Sequence, residues 1–192
     1  MRGLDIYIAG VGGQGIGMVS KVLARAAADA GHRTIGSDTH GLAQRGGTVI
    51  SHLRMGKRVF GPLIPFGRAD IVLALERLEG HRAVLEMLRA GGTAFCCDVV
   101  YQPISTRMGV AEYPAMQDLV DAATAKGARL FTVAVDTLPN PKLQNTALLA
   151  ALIRSGILPL ITAEHVIRAL TAVLPKRLMD DNLRIFQTML DS

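Results

Sequence analysis

The sequence lacks several residue types that nucleic-acid and cofactor sites need. Tryptophan is absent and aromatic residues make up only 4% of the 192 residues, which disfavours a base-stacking platform for single-stranded nucleic acid. Cysteine occurs only as the adjacent pair Cys96 and Cys97, and neighbouring side chains of a strand point to opposite faces. We therefore expect no disulfide framework, no metal site and no iron–sulfur cluster on this chain, and a reducing, cytoplasmic location.

The sequence also lacks the motifs of several enzyme classes. It contains no Gly-x-x-x-x-Gly-Lys-Ser/Thr loop, no Gly-x-Ser-x-Gly elbow and no Gly-Asp-Gly thiamine diphosphate signature, and the first two absences exclude P-loop nucleoside triphosphatases and elbow hydrolases. No charge-free apolar run reaches the roughly 20 residues of a membrane-spanning helix. The first residues are typical of a strand and lack the apolar region of a signal peptide. We expect no membrane association.

The residues that are present suit one folded domain. Hydrophobic residues make up 49% and charged residues 19%, enough for a buried core, and the length predicts a single domain over residues 1–192. The 21 Lys and Arg residues against 16 Asp and Glu residues give a net charge of +5. This excess is scattered and favours phosphorylated ligands or an acidic partner over DNA. The densest basic group, Arg54, Lys57 and Arg58, is predicted to be a solvated turn rather than a phosphate patch.

Hydrophobic periodicity predicts an α/β fold. A buried strand over residues 4–9, a helix over 16–30 and a strand over 34–37 form a βαβ opening, which indicates a three-layer α/β/α domain with a mostly parallel sheet. Residues 48–55 alternate and lead through a turn into residues 58–60, so we predict a hairpin and a mixed sheet. Further strands are predicted over 69–75, 93–97 and 130–135, helices over 78–88 and 115–126, and a helical C-terminal tail over 144–153, 163–173 and 176–190.

The first candidate site is the glycine-rich loop between the first strand and the first helix. Its pattern, Gly10-x-Gly12-x-x-Gly15, stands where a dinucleotide fingerprint does, and a helix N-terminus offers free N–H groups to a phosphate. The alternative is a tight turn that only packs the helix on the strand. Two details disfavour ordinary NAD binding: Gln14 puts an amide at the helix mouth, and the loop after Asp38 is unlike a ribose-binding turn.

The second candidate site is the polar loop between Asp38 and Thr48. It follows a strand end, where open α/β sheets bind ligands, and its paired glycines permit close approach of another backbone. The alternative is an ordinary solvated loop. The residues that we single out there are His40, Gln44, Arg45, Gly46 and Gly47.

Other polar residues are weaker candidates. His52 lies on an alternating strand and is predicted to be structural rather than catalytic. Asp136 and Asn145 either face the site from strand and helix ends or only cap helices. Cys96 and Cys97 are predicted to be small core residues.

Two motifs together resemble a known family. Residues 10–16, Gly-Val-Gly-Gly-Gln-Gly-Ile, and residues 40–49, His-Gly-Leu-Ala-Gln-Arg-Gly-Gly-Thr-Val, resemble the gamma-type subunits of 2-oxoacid:ferredoxin oxidoreductases. The second motif is most similar to that of the indolepyruvate:ferredoxin oxidoreductase beta subunits. The resemblance covers nearly the whole chain, including Asn145 and the segment around Phe186. The tail departs from the pattern, because no glycine follows Phe186 closely, and this bears on the tail's contact with a partner.

The resemblance implies a non-autonomous subunit. Such complexes oxidatively decarboxylate a 2-oxoacid (pyruvate, indolepyruvate or a branched-chain oxoacid) to an acyl-CoA and pass electrons to ferredoxin. Thiamine diphosphate and iron–sulfur clusters would lie on larger partner chains, and this chain would contribute to coenzyme A access without catalytic residues of its own. Two alternatives stay open, a free-standing Rossmann-type nicotinamide oxidoreductase and a non-catalytic assembly module. The ligand- or partner-contacting residues implied are Gly12, Gly13, Gln14, Gly15, His40, Gln44, Arg45, Gly46 and Gly47.

Overall fold

The computed structural model describes residues 3–39, 47–101, 112–158 and 160–192. Its strands form one six-stranded sheet in the order β2-β3-β1-β4-β5-β6. The strands are β1 Leu4–Val11, β2 Thr34–Asp38, β3 Thr48–Met55, β4 Ala69–Ala74, β5 Leu88–Cys97 and β6 Arg129–Val133. The helices within the described ranges are α1 Ile16–Asp29, α2 Arg77–Glu86, α3 Met116–Ala125, α4 Gln144–Arg154, α5 Ala163–Val173 and α6 Met179–Asp191. Short 3₁₀ turns cover Val135–Thr137, Pro141–Leu143 and Lys176–Leu178.

The sheet is mixed and separates two cores, as predicted for a three-layer α/β/α domain. β1, β4, β5 and β6 run parallel, whereas β3 is antiparallel to both of its neighbours. One core packs α1, α4, α5 and α6 on one face of the sheet, and the second packs α2 and α3 on the other. Cys96 and Cys97 belong to different cores, which follows from the alternation of side chains along β5.

The predicted hairpin over residues 48–60 is wrong. Residues 58–60 form no strand, and β3 pairs with β1 and β2 instead. Val59 is buried, while the carbonyl groups of Gly61 and Leu63 accept hydrogen bonds from the Arg54 guanidinium. These carbonyl groups therefore have a side-chain partner and do not need hydrogen bonds to a neighbouring strand. β1, α1 and β2 follow one another as predicted, but β3 lies between β1 and β2 in the sheet.

β5 begins earlier than predicted. Gly91 and Gly92 lie inside the strand rather than before it. The register against β4 shifts between Leu88 and Thr93, and Gly91 has a φ of +65°. The glycines accommodate this bulge, so they do not end the preceding helix, which stops at Glu86.

Two predicted segments lie largely outside the described residues. The irregular stretch predicted around residues 101–113 is described only at its ends, and residues 40–46 of the second candidate site are not described. Among the described helices, none has the length and apolar character that crossing a membrane requires.

Candidate functional site

The glycine-rich loop carries the chain from the end of β1 into α1. Gly13 and Gly15 have φ values of +98° and +82°, a region that L side chains rarely adopt. Gly10 is required for a different reason, because a Cβ there would lie 3.1 Å from the Leu75 Cβ and 2.9 Å from the Gln14 Oε1. Gly10, Gly13 and Gly15 thus permit a tight turn that packs closely against Leu75, directly after β4.

The Gln14 side chain bridges the backbone of two strand ends. Its Oε1 accepts a 2.7 Å hydrogen bond from the Val11 N–H, and its Nε2 donates a 2.8 Å bond to the Leu75 carbonyl. The amide therefore joins the carboxyl ends of β1 and β4 and is already satisfied. The Gln14 amide at the N-terminus of α1 therefore fixes the conformation of the glycine-rich loop.

Some of the backbone donors expected at the loop are also used within the chain. The Gly12 N–H donates to the Gly47 carbonyl at 2.9 Å, and the Gln14 N–H donates to the Val11 carbonyl at 3.1 Å. The remaining N–H groups of the loop and of the first turn of α1 have no acceptor within the described residues. They lie at the positive end of the α1 dipole. Such a group of donors suits a phosphate or carboxylate. These free donors belong to Gly13, Gly15, Ile16 and Gly17.

Asn145 closes the loop from the other side. Its Nδ2 donates a 2.8 Å hydrogen bond to the Gln14 carbonyl, and a Cβ on Gly15 would lie 2.7 Å from that nitrogen. The side chain is 6% exposed, and its Oδ1 has no hydrogen-bond partner in the described part of the chain. Of the two placements left open for Asn145, the structure shows the one facing the site. Asp136 is exposed in the turn Val135–Thr137.

The second candidate segment meets the first at its carboxyl end. Gly47 accepts the hydrogen bond from Gly12, so the two motifs are adjacent there. His40, Gln44, Arg45 and Gly46 lie outside the described residues.

Asp38, at the beginning of the second segment, joins three elements. Its Oδ1 lies 2.5 Å from the Ser51 Oγ on β3 and 3.3 Å from the Ser20 Oγ on α1. In an ordinary dinucleotide fold the acidic residue at the end of the second strand binds a ribose. Here that carboxylate takes part in a serine network, and β3 separates its strand from β1. Both features depart from the nicotinamide alternative.

Glu79 is a buried carboxylate on α2, which packs on the face of the sheet opposite to α1. It was not singled out from the sequence. Glu79 accepts hydrogen bonds from the Thr48 hydroxyl and the Arg82 guanidinium, both at 3.0 Å. Burial raises its pKa, and Arg82 and Thr48 oppose that shift. These side chains line a cavity of about 220 Å³ together with Tyr7. The sequence signal was slight, a glutamate three residues after the helix-capping Glu76.

His52 is structural, as predicted. Its Nδ1 accepts a 3.1 Å hydrogen bond from the Ile64 N–H, and its ring packs edge-on against Tyr7 at 5.1 Å between centroids. Burial and the Arg54 charge lower the pKa of this imidazole. No group of three or more His, Cys, Asp or Glu side chains in the described residues could hold a metal ion.

The chain is similar to known sequences over nearly its whole length. Residues 5–191 match the family model described as pyruvate ferredoxin/flavodoxin oxidoreductase. The chain is 31% identical over 191 residues to the indolepyruvate oxidoreductase subunit IorB of Pyrococcus horikoshii, covering 97% of this chain and 94% of the relative. It is 34% identical over 188 residues to the subunit of the same name from Methanothermobacter thermautotrophicus, covering 95% and 94%.

Solved structures share the fold at lower identity. The gamma subunit of a keto/oxoacid ferredoxin oxidoreductase from Geobacter sulfurreducens superposes with a TM-score of 0.68 at 18% identity, covering 98% of this chain and 96% of that chain. A 2-oxoglutarate:ferredoxin oxidoreductase from Magnetococcus marinus, with 2-oxoglutarate, coenzyme A and succinyl-CoA bound, gives a TM-score of 0.70 at 17% identity. That match covers 98% of this chain and 30% of the larger one.

Proposed function

The chain belongs to the pyruvate ferredoxin/flavodoxin oxidoreductase family as a gamma-type subunit, and from that membership we propose how it works within a 2-oxoacid:ferredoxin oxidoreductase. The complex oxidatively decarboxylates a 2-oxoacid to an acyl-CoA and passes the electrons to ferredoxin. The observation that carries the proposal is the match along residues 5–191. The relatives named for indolepyruvate make that acid the first substrate to test, ahead of pyruvate and branched-chain oxoacids.

In this proposal the redox and decarboxylation chemistry lies on larger partner chains, which hold thiamine diphosphate and the iron–sulfur clusters. The residues of this chain do not fit a cluster, because Cys96 and Cys97 are buried in separate cores and cluster iron needs several converging thiolates. With cysteine usage limited to one adjacent pair and no disulfide framework suggested, we propose a reducing, cytoplasmic location.

The glycine-rich mouth is the part of this chain that we assign to ligand or partner contact. The N–H groups of Gly13 and Gly15 at the α1 N-terminus, which have no acceptor among the described residues, would donate hydrogen bonds to a coenzyme A phosphate or to a partner's carbonyl or carboxylate. His40, Gln44 and Arg45 would line the same mouth, since Gly47 at the end of their segment bonds to Gly12. Arg45 would counter negative charge on coenzyme A or the oxoacid.

The experiment is reconstitution with the large chain, followed by assays with indolepyruvate, pyruvate and branched-chain oxoacids. We expect activity only in the mixture. Loss of a charge-assisted bond of about 1.5–3 kcal/mol predicts that Arg45→Ala raises the KM for coenzyme A, or the Kd for the large chain, by roughly ten- to a hundredfold. The exposed Arg177, on the C-terminal side of the chain, supplies the control variant Arg177→Ala, which should change neither value.

Two results would contradict the proposal. One is a brown preparation of the isolated chain with stoichiometric iron and sulfide. The other is turnover of a nicotinamide cofactor by this chain alone, which the free-standing oxidoreductase alternative requires. If Arg45→Ala lowers the thermal midpoint by several degrees and leaves KM and Kd unchanged, Arg45 is structural and the site assignment is wrong.

A further inference from the structure

The connection between β3 and β4, residues 56–68, exposes an unusual amount of apolar surface. Phe60 is 84% exposed, Leu63 63% and Phe66 78%. Three large apolar side chains so close together in sequence are rare on a surface that stays in water, and clustered exposure of this kind marks interaction sites. Neither the proposed chemistry nor the glycine-rich mouth uses them.

The connection is held rigidly although it has no regular secondary structure. Val59 and Ile64 are buried beneath it, and the Ile64 N–H donates to the His52 Nδ1 at 3.1 Å. At its end, the Gly67 N–H donates to the Glu86 carbonyl at 2.8 Å. The Arg54 guanidinium supports its middle through the carbonyls of Gly61 and Leu63. A connection whose backbone is already ordered in this way loses little further backbone entropy on binding.

A positively charged cavity lies beside the apolar side chains. It measures about 270 Å³ and is lined in part by Arg58, Arg68, Asp5 and Asp70. Both carboxylates are already neutralised. Asp5 forms two hydrogen bonds with Arg54, at 2.8 and 3.0 Å, and Asp70 forms one with Arg89 at 2.7 Å.

The two remaining arginines of the cavity give it its charge. Arg58 and Arg68 form no ion pair within the described residues, and Lys57 beside them is also exposed. Two guanidinium groups with unused donors suit a carboxylate.

We propose that residues 56–68 form the docking surface for the large subunit of the complex, at a site where that subunit presents a carboxylate among apolar side chains. The carboxylate enters the cavity toward Arg58 and Arg68, and the apolar side chains cover Phe60 and Phe66. This inference rests on the proposed function, because it takes the large subunit as the occupant.

Charge and shape favour this occupant over two others. A second copy of the chain would bring the same basic connection against itself in a symmetric contact, and the chain already carries a net charge of +5. A membrane presents a plane of headgroups that reaches only the rim of a concave cavity. A single protein carboxylate meets neither obstacle.

The test measures the Kd between the intact chain and the purified large subunit. We expect Phe60→Ser and Phe66→Ser each to raise the Kd by roughly ten- to a hundredfold, as loss of an aromatic anchor does. The double reversal Arg58→Glu with Arg68→Glu should raise it at least about tenfold and remove most of its dependence on salt. All these side chains are exposed or line an open cavity, so the thermal midpoints should stay within about 2 °C of wild type.

Matched controls lie on the opposite layer of the molecule. Leu178 is 42% exposed and Lys21 is exposed on α1, so Leu178→Ser and Lys21→Glu repeat the chemical changes away from the connection. Both should bind the large subunit as wild type does. Phe66→Leu should keep most of the affinity, because it retains the apolar contact.

The outcomes separate this inference from the function on which it rests. Wild-type binding with unchanged Kd values for the connection variants overturns the docking surface and leaves the proposed function standing. Failure of the wild-type chain to bind the large subunit at all overturns both. Binding of wild type to phosphatidylserine vesicles, or self-association in sedimentation, that only the connection variants lose would assign the surface to a membrane or a second copy and would overturn the inference.

Discussion

At the residue scale, the contact between Gly15 and Asn145 links the glycine-rich loop to α4. Asn145 donates to the Gln14 carbonyl across 131 positions of sequence, and the absence of a side chain at Gly15 makes room for that amide. Gly13 has the same kind of left-handed backbone, but a Cβ there would meet nothing within 4 Å. The two glycines therefore differ in packing and not in backbone strain.

This difference predicts unequal costs for one substitution. Gly13→Ala should lower the free energy of unfolding by about 1–2 kcal/mol, the cost of a left-handed non-glycine residue. Gly15→Ala should cost about 1–3 kcal/mol more, because its methyl group collides with the Asn145 amide. Urea unfolding of both variants measures the difference.

A double variant provides the control for that collision. With Asn145→Ala present, Gly15→Ala no longer collides with the Asn145 amide. The double variant should therefore lose less unfolding free energy than the sum of the two single variants, by at least about 0.5 kcal/mol. Equal costs for Gly13→Ala and Gly15→Ala would show that Asn145 gives way freely and does not define the loop.

His52 predicts a pH dependence of stability. Burial, with Arg54 second, lowers its pKa below the 6.5 of a free imidazole. Below that pH the unfolded chain binds a proton that the folded chain resists, so His52 makes stability fall as the pH drops through and below 6.5. A protonated ring would also lose the Nδ1 lone pair that accepts from Ile64.

The variant His52→Gln isolates this contribution. It keeps a hydrogen-bond acceptor and has no titration, so its deficit in unfolding free energy relative to wild type should shrink between about pH 7 and pH 5. Burial raises the pKa of Glu76 and Glu79, and their opposite pH effect is common to both proteins and cancels. A deficit that stays constant with pH would mean that His52 titrates normally in the folded state.

At the element scale, the local sequence pattern predicted helices and strands with periodic side chains, but it did not predict which strands pair with one another. The strand–glycine–helix opening follows from the 3.6-residue spacing of buried side chains in α1 and from the glycine positions. Alternation along β3 indicates which side chains share a face but not which strands lie beside it, so the hairpin was predicted in place of pairing with β1 and β2. The tight glycine-rich loop was predictable from the glycine positions, whereas the Asn145 contact with it depends on tertiary packing.

β5 also carries a prediction about thiol reactivity. Burial raises the pKa of Cys96 to about 12, with nearby Glu76 and Asp98 adding to the shift, and burial also raises the pKa of Cys97 well above its usual range. Because thiol reagents attack the thiolate, Ellman's reagent should label neither cysteine in the native chain and both after unfolding. The labelling rate in low denaturant should then follow the opening of the central sheet. Fast native labelling of one thiol would contradict the packing of β5 between two cores.

At the scale of the whole molecule, the two surfaces assigned to ligand and partner lie at opposite ends of the sheet. The glycine-rich mouth follows the carboxyl end of β1, while the cavity beside residues 56–68 includes Gly3 and Asp5 at its amino end. β1 has eight residues, which corresponds to about 26 Å at the rise of a strand. A partner that reaches both surfaces must extend over about this distance.

That separation predicts independent effects on binding and on turnover. Gly13→Val adds a side chain at the mouth, where its Cβ has open space, so it should leave the fold largely intact, at a strain cost of roughly 1–3 kcal/mol, and abolish or strongly reduce activity of the reconstituted complex. Phe66→Ser should raise the Kd for the large subunit and leave the KM for coenzyme A unchanged once that subunit is saturating. Because sites this far apart act additively to within about 0.5 kcal/mol, Phe66→Ser should raise the Kd by the same factor in the Gly13→Val background. The Kd is measured for all four proteins by calorimetry, with activity read at saturating large subunit. A coupling well above that limit would show that the mouth and the docking surface respond to one shared contact with the partner.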